Sequence, residues 1–236
     1  MAIATGARSF PTLVLVHGAW ADGSSWSEVI ARLQAKGIRV VSVQNPLSSL
    51  ADDVASVRRA LELLDGPVVL AGHSWGGTVI TQAGAVSQVV GLAYVAAFAP
   101  DIGESTNSLQ APHPSPEYLP LLRMDSEGYL HFPPADMPNF FAQDLPTEHA
   151  SVLAATQGPI RASAFDDAVT QAAWRDRPSW YLLAGNDRMI APALQRAMAV
   201  RMGATLESVA SSHVPFAVRP RETFDFFLRA LQLPRD

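Results

Sequence analysis

The segment at residues 68–77 reads VVLAGHSWGG and joins a short apolar run to a stretch with helical character. Within it, Gly72, Ser74 and Gly76 form the pattern G-x-S-x-G. Between a strand and a helix, this pattern predicts a tight turn that holds Ser74 in a strained backbone conformation at the carboxyl end of a sheet. An ordinary glycine-rich turn is the alternative interpretation. The flanking strand and helix favour Ser74 as a nucleophile.

Short apolar runs alternate with helical patterns along most of the chain. The run at residues 12–16 is continuously apolar, which is typical of a strand buried on both faces of a parallel sheet. The predicted strands are residues 12–16, 38–43, 67–71, 89–97, 179–184 and 205–209. The alternation predicts an α/β fold, with a mostly parallel sheet of about six strands flanked by helices.

The predicted helices carry start signals and apolar faces. Ser25 and Glu28 form a capping-box pattern at the start of a helix that ends near Gly37. Further helices are predicted at residues 75–85, 192–202 and 220–231. Two apolar faces are expected to pack on the sheet: Val54, Val57, Leu61 and Leu64, with Asp52 and Asp53 at the positive end of that helix, and Phe224, Phe227, Leu228 and Leu231.

The alternation stops at Pro100 and resumes near residue 179. Ten of the 18 prolines lie between Pro100 and Pro159, among scattered aromatic and apolar residues. So long a structureless loop is uncommon inside a compact domain. We therefore expect a small, partly helical cap at residues 100–165, packed over the edge of the sheet. A disordered loop is the alternative. Residues 1–236 are interpreted as one domain that contains this insertion.

A nucleophilic serine needs a base, and the base needs an orienting group. His213 follows the last predicted strand and Asp187 follows the strand at 179–184, so both should open at the same sheet edge as Ser74. Asp101, after the fourth strand, is the alternative acid. The other histidines are given structural or solvated roles: His17 and His73 beside turns, and His113, His131 and His149 in the cap.

Acyl transfer also requires fixed donors for a developing oxyanion. The backbone N–H of Trp75 follows the predicted nucleophile directly. The loop after the first strand reads HGAW at residues 17–20 and should bring the Ala19 N–H to the same place. Trp20, with His17 and Gly18 beside it, is expected to contact the substrate.

Composition excludes several other classes of function. The formal net charge is −5 and no run of Lys or Arg exists, which argues against nucleic-acid binding. The chain has no cysteine, which excludes disulfides, thiolate catalysis and Cys-based metal sites. The N-terminal sequence lacks a signal-peptide pattern, and the apolar run at 13–16 is too short to span a bilayer. A cytoplasmic protein with no membrane partner is predicted, and a homodimer is left open.

Together these residues resemble the α/β-hydrolase superfamily, and within it the branch of small carboxylesterases, methyl esterases and hydroxynitrile lyases. The resemblance covers nearly the whole chain. It implies a triad of Ser74, Asp187 and His213, oxyanion donors at Ala19 and Trp75, and no cofactor or metal. Lyases of this branch carry lysine after the catalytic histidine, where this chain has Val214, and tend to carry threonine at Gly18. Both departures favour ester hydrolysis.

The expected substrate is a small or medium carboxylic ester, cleaved through an acyl-enzyme intermediate. Trp20, Trp75 and the apolar residues of the cap predict a hydrophobic pocket with few charges. Lactones, thioesters and cyanohydrins stay open as substrates. Because a fold does not fix a function, a ligand-binding protein with weak catalysis is a further alternative.

Overall fold

The computed structural model describes residues 10–232; the ends of the predicted domain, 1–9 and 233–236, lie outside the described residues. Two sheets are formed, a central one and a small one in the insertion. In chain order the strands are β1 Thr12–Val16, β2 Val40–Val43, β3 Val68–His73, β4 Val89–Val95, β5 Arg123–Met124, β6 Tyr129–His131, β7 Ile160–Arg161, β8 Ser179–Ala184 and β9 Thr205–Val209.

The central sheet has six parallel strands in the order β2-β1-β3-β4-β8-β9. The predicted α/β architecture is therefore confirmed. The strands at 12–16, 179–184 and 205–209 have the predicted bounds. Since all six strands are parallel, the residues that follow β1, β3, β8 and β9 emerge at one edge.

Three other strands differ slightly from the prediction. The second is shorter than residues 38–43, and three of its four residues are only half-buried because it lies at an edge of the sheet. The third extends to His73, because its ladder with β4 continues as far as the turn. The fourth ends at Val95, two residues before the predicted end at residue 97.

The helices flank the central sheet or belong to the insertion. In chain order they are α1 Ser27–Ala35, α2 Leu50–Glu62, α3 Trp75–Ala83, α4 Thr106–Gln110, α5 Met137–Phe140, α6 Thr147–Thr156, α7 Pro192–Arg201, α8 Pro215–Val218 and α9 Pro220–Ala230. Within residues 10–232, none of them is long and apolar enough to cross a membrane.

The predicted capping box at Ser25 is wrong. A short 3₁₀ turn at Gly23–Trp26 precedes α1, and its cap is Asp22, whose Oδ1 accepts the Ser24 N–H at 2.7 Å. The helix itself begins at Ser27. An acidic cap three residues before the predicted one therefore fixes this helix entry.

The predicted apolar stripe of α2 is buried as expected. In α9 one predicted residue differs: Phe224 is only partly buried against the core, whereas Phe226, which was not predicted, is fully buried. Phe227, Leu228 and Leu231 are buried as predicted.

The insertion between β4 and β8 is partly helical, as expected, and contains α4, α5 and α6. It also contains a three-stranded antiparallel sheet in the order β5-β6-β7, which the sequence did not reveal. Its strands have only two or three residues, too few to show a period-two pattern. We call the segment of residues 100–165 the cap.

Candidate active site

Ser74 lies between β3 and α3 in a strained conformation, with φ of 53° and ψ of −122°. Positive φ is unfavourable for a residue with a side chain. The turn is possible because its glycines are packed against backbone: a Cβ at Gly72 would approach the Gly76 carbonyl oxygen to 2.4 Å, and one at Gly76 would approach the Val16 carbonyl oxygen to the same distance. The predicted strained turn is thus present.

His213 and Asp187 form a buried pair. His213 Nδ1 lies 2.7 Å from Asp187 Oδ2, and neither side chain is exposed to solvent. Because a carboxylate can only accept, Nδ1 carries the proton, and the lone pair of the neutral ring is on Nε2. This tautomer is the one that a general base requires.

The Asp187 carboxylate is fixed by further donors. Its Oδ1 accepts the N–H groups of Met189 and Ile190 at 2.7 and 3.0 Å. Its Oδ2 accepts Gln195 Nε2 at 2.7 Å in addition to His213. Gln195 is fully buried on α7, and its role was not predicted from the sequence. A polar residue inside an otherwise buried helix face was the signal that could have found it.

Asp101, the alternative acid, is engaged elsewhere. Its Oδ2 lies 2.7 Å from Arg175 Nη2, and the Ile102 N–H donates to its other oxygen. The hydrogen bond from Arg175 holds the pKa of Asp101 below its ordinary value. The structure therefore places Asp187, and not Asp101, against His213.

Ser74 Oγ and His213 Nε2 are not hydrogen-bonded to each other. Within residues 10–232, the buried Nε2 atom has no hydrogen-bond partner. Catalytic hydrogen bonds are often long in substrate-free enzymes and shorten when substrate binds. The base is therefore oriented by Asp187, and its Nε2 atom is unpaired among the described residues.

His17 and His73 have structural positions. His17 Nδ1 donates to the Gly18 carbonyl and its Nε2 accepts the Asn45 N–H, both at 2.9 Å. His73 Nε2 donates to the His213 carbonyl at 2.8 Å. Burial lowers the pKa of both rings, and the neighbouring His213 lowers that of His73 further. Both imidazoles are neutral, so they hold backbone in place and add no charge to the site.

The expected oxyanion donors are at the correct edge. Ala19 and Ser74 line the same cavity, and Trp75 is the first residue of α3. A Cβ on Gly18 would lie 2.7 Å from Ser74 Cβ, so the HGAW loop passes directly against the serine. Among the hydrogen bonds within residues 10–232, neither the Ala19 N–H nor the Trp75 N–H is a donor. Both are free to bind an oxyanion.

Asp53 contacts the turn that carries Ser74 through the side chain of Trp75, a contact that was not predicted from the sequence. The carboxylate is fully buried and accepts Trp75 Nε1 at 2.7 Å and the Leu47 N–H at 2.8 Å. Burial outweighs these bonds and raises the pKa of Asp53 to about 6. From the sequence, Asp53 was expected only to interact with the positive end of its helix. In the structure its carboxylate also holds the side chain of Trp75, the residue after Ser74.

A cavity of about 480 Å³ lies over Ser74, and residues of the cap form much of its wall. Its wall is mostly apolar, and Asp166, exposed at the rim, is its only charged lining residue. The apolar part of the wall consists of Ala19, Trp20, Phe98, Pro116, Tyr118, Leu119, Leu122, Leu130, Ala162, Phe165, Met189 and Ile190.

Trp20 connects the HGAW loop to the cap. Its Nε1 donates to the Leu130 carbonyl at 2.9 Å and its backbone N–H donates to the Gly158 carbonyl at 3.2 Å. Its ring meets Tyr118 and Phe132 edge-on, with centroids 6.0 and 5.6 Å away. Trp20 has a φ of 53°, so these contacts hold a strained residue in place.

Of the three residues expected to contact substrate, only Trp20 lies in the cavity wall. Gly18 packs beneath Ser74, and both ring nitrogens of His17 are bonded to backbone. The expectation for His17 and Gly18 is therefore corrected to a structural role. Within residues 10–232, no cluster of three or more His, Asp or Glu side chains is arranged to hold a metal.

The chain is similar in sequence to known hydrolases. A model of the Alpha/beta hydrolase family matches residues 13–226. "Probable hydrolase R7" of Phoma sp. is 30% identical over 206 residues, which cover 78% of this chain and 81% of the relative. "Carbendazim hydrolyzing esterase" of Nocardioides sp. is 31% identical over 157 residues, covering 60% of this chain and 62% of that protein.

Solved structures show the same fold at lower identity. A pyrethroid hydrolase from Sphingobium faniae JZ-2 superposes with a TM-score of 0.82 at 21% identity, covering 95% of this chain and 98% of the other. A methylesterase, MES16 from Arabidopsis, gives 0.77 at 21% identity, covering 94% and 99%. With the family match over residues 13–226, these findings show that the chain belongs to the alpha/beta hydrolase family.

Proposed function

We propose that the protein is a serine hydrolase that cleaves small to medium carboxylic esters through an acyl-enzyme intermediate. The observation that carries this proposal is the buried His213–Asp187 pair, in which Nδ1 lies 2.7 Å from Oδ2, together with the strained turn that carries Ser74. The pair lies at the sheet edge where Ser74 opens into a mostly apolar cavity.

In the first step Ser74 Oγ attacks the ester carbonyl while His213 Nε2 takes the hydroxyl proton. Asp187 keeps the proton of the ring on Nδ1 and stabilises the imidazolium that forms. Because the Asp187 carboxylate is held by four hydrogen bonds, it needs no rearrangement during this step.

The tetrahedral oxyanion is bound by the N–H groups of Ala19 and Trp75. One such donor contributes about 3–4 kcal/mol to transition-state stabilisation. His213 then gives its proton to the departing alkoxide, and the alcohol leaves. Water, deprotonated by the same ring, then attacks the acyl-enzyme. The bond between the acyl carbon and Ser74 Oγ breaks as His213 returns the proton to Oγ, and the carboxylic acid is released.

The cavity supports an apolar or aromatic ester. Its volume of about 480 Å³ lies within the range of small-molecule sites, roughly 300–1,000 Å³. The names of the relatives are compatible with this class, since one is an esterase that hydrolyses carbendazim and a protein of the same fold is a pyrethroid hydrolase.

Val214 favours hydrolysis over cyanohydrin lysis. It occupies the position at which the resembling lyases carry lysine, and it is fully buried. Because valine is uncharged, this position cannot stabilise the negative charge of a departing cyanide next to His213. Lactones and thioesters share the acyl-transfer chemistry and are open to the same residues.

The test is a panel of p-nitrophenyl esters, lactones and mandelonitrile, assayed with the wild type, Ser74→Ala and Ser163→Ala. Ser163 is an exposed serine of the same cavity wall and serves as the matched control. We expect ester turnover in the wild type and in Ser163→Ala, and its loss in Ser74→Ala with an unchanged circular dichroism spectrum. Wild-type turnover in Ser74→Ala would contradict the proposal, and so would turnover of mandelonitrile alone.

A further inference from the structure

The cap is bonded to the loop that carries the acid. Gln143 Nε2, on the half-buried side chain after α5, donates to the Asn186 carbonyl at 2.6 Å. Asn186 is the residue directly before Asp187. Arg188, directly after it, donates through Nη1 to the Asn139 carbonyl of the cap at 2.9 Å. The acid is thus held by the cap on both sides along the chain.

The cap is also bonded to the loop that carries the base. Asp144 Oδ2 accepts the Ser212 N–H at 2.6 Å, and Ser212 directly precedes His213. A bond to a carboxylate is about twice as strong as one between neutral groups. Phe141 adds an edge-on contact with the His213 ring, with centroids 5.0 Å apart.

The two loops are joined to each other where the cap holds them. The Asn186 N–H donates to the Ser211 carbonyl at 3.0 Å. Three hydrogen bonds therefore connect the cap, the loop after β8 and the loop after β9 to one another: Gln143 bonds the cap to Asn186, Asn186 bonds to Ser211, and Asp144 bonds the cap to Ser212. The base loop follows β9, an edge strand with a neighbour on one side only.

We infer that Gln143 and Asp144 are positioning residues, which set the geometry of the Asp187–His213 pair by holding the residue before each of them. We call these two residues the cap clamp. The inference rests on the proposed function for its kinetic consequence, but its geometric part concerns only the Asp187–His213 hydrogen bond. Neither residue lines the cavity, so the cap clamp acts on the chemical step and not on substrate binding.

The test compares Asp144→Ala, Asp144→Asn and Gln143→Ala with Gln82→Ala. Alanine removes the acceptor of the Ser212 N–H, whereas asparagine keeps an oxygen that can accept it, so Asp144→Asn should retain the hydrogen bond and the kcat of the wild type. Gln82 is the matched control, because its amide also links separate segments, α3 and Thr170, away from the triad. Two readouts are needed: kcat and KM for an ester, and the far-downfield proton resonance of His213 Nδ1, assigned with His213→Gln.

We expect Asp144→Ala and Gln143→Ala to lower kcat by on the order of tenfold or more with KM within about twofold, since small misplacements of catalytic groups are costly. The Nδ1 resonance should move upfield or broaden in both, and should persist in Asp144→Asn and Gln82→Ala. An unchanged resonance and kcat in both alanine variants would overturn the inference. If the wild type has no esterase activity but the resonance responds as stated, the cap clamp stands and the proposed function fails.

Discussion

His213 Nδ1 lies 2.7 Å from Asp187 Oδ2, and both side chains are completely shielded from solvent. This contact joins residues from the ends of two neighbouring parallel strands, β8 and β9. Its orientation leaves Nε2 of His213 free on the side of the ring that a serine must reach. The contact separates Asp187 from Asp101, which the sequence left as alternatives.

The first prediction concerns the acid. Asp187→Asn should lower kcat/KM for an ester by about 10⁴-fold, because an amide at this place stabilises the wrong tautomer of the histidine. Asp101→Asn is the control, since Asp101 is bonded to Arg175 at the start of the cap. It should keep kcat/KM within about twofold of the wild type. Equal losses in the two variants, measured by initial rates, would remove Asp187 from the triad.

The second prediction concerns the approach of the HGAW loop to the nucleophile. Gly18→Ala should lower kcat by about 10²-fold, because the added methyl group would lie 2.7 Å from Ser74 Cβ and 2.9 Å from the His73 carbonyl oxygen. Gly158→Ala is the control, where the nearest atom is the end of the flexible Leu47 side chain at 3.2 Å. Steady-state kinetics of both variants tests this, and full activity of Gly18→Ala would refute it.

Ser74, Asp187 and His213 could be located from the sequence because each follows a short strand of a parallel sheet. The carboxyl ends of parallel strands lie at one edge of the sheet, so predicting that the strands are parallel was sufficient to bring these three residues to the same edge. Asp53 could not be placed in this way. Its contact with Trp75 joins residues 22 positions apart, and it depends on how α2 packs beside α3.

The cap was predictable only as an insertion with some helix. Its sheet consists of strands too short for a periodic pattern, and β7 joins it from about 30 residues beyond β6. The cap clamp was equally hidden, because Gln143 and Asp144 are ordinary polar residues in the sequence. Their partners are backbone groups, which carry no sequence signal.

The third prediction concerns pH and Asp53. Burial raises the pKa of this carboxyl group from 3.8 to about 6, so the folded state binds more protons than the unfolded state between those values. The free energy of unfolding should therefore fall as pH rises through this window, by roughly 2–3 kcal/mol from this group. Above about pH 7 Asp53 is fully ionised, and the free energy of unfolding falls no further on its account.

Asp53→Asn removes this titration and serves as the comparison. Chemical denaturation at pH 4 and pH 7 should show the wild type losing stability relative to Asp53→Asn as pH rises. Asparagine cannot accept both the Leu47 and the Trp75 N–H groups, so the variant should also be destabilised at pH 4, by about 1–3 kcal/mol. A stability difference that is the same at both pH values would contradict the raised pKa.

Labelling with a fluorophosphonate shows whether Ser74 is the residue that becomes acylated. The adduct is located by mass spectrometry of the digested protein, with Ser74→Ala and Ser163→Ala treated in parallel. We expect one adduct per chain on Ser74 in the wild type and in Ser163→Ala, and none in Ser74→Ala. An unlabelled wild type, or equal labelling of Ser74→Ala, would contradict this expectation and favour a ligand-binding role for the cavity.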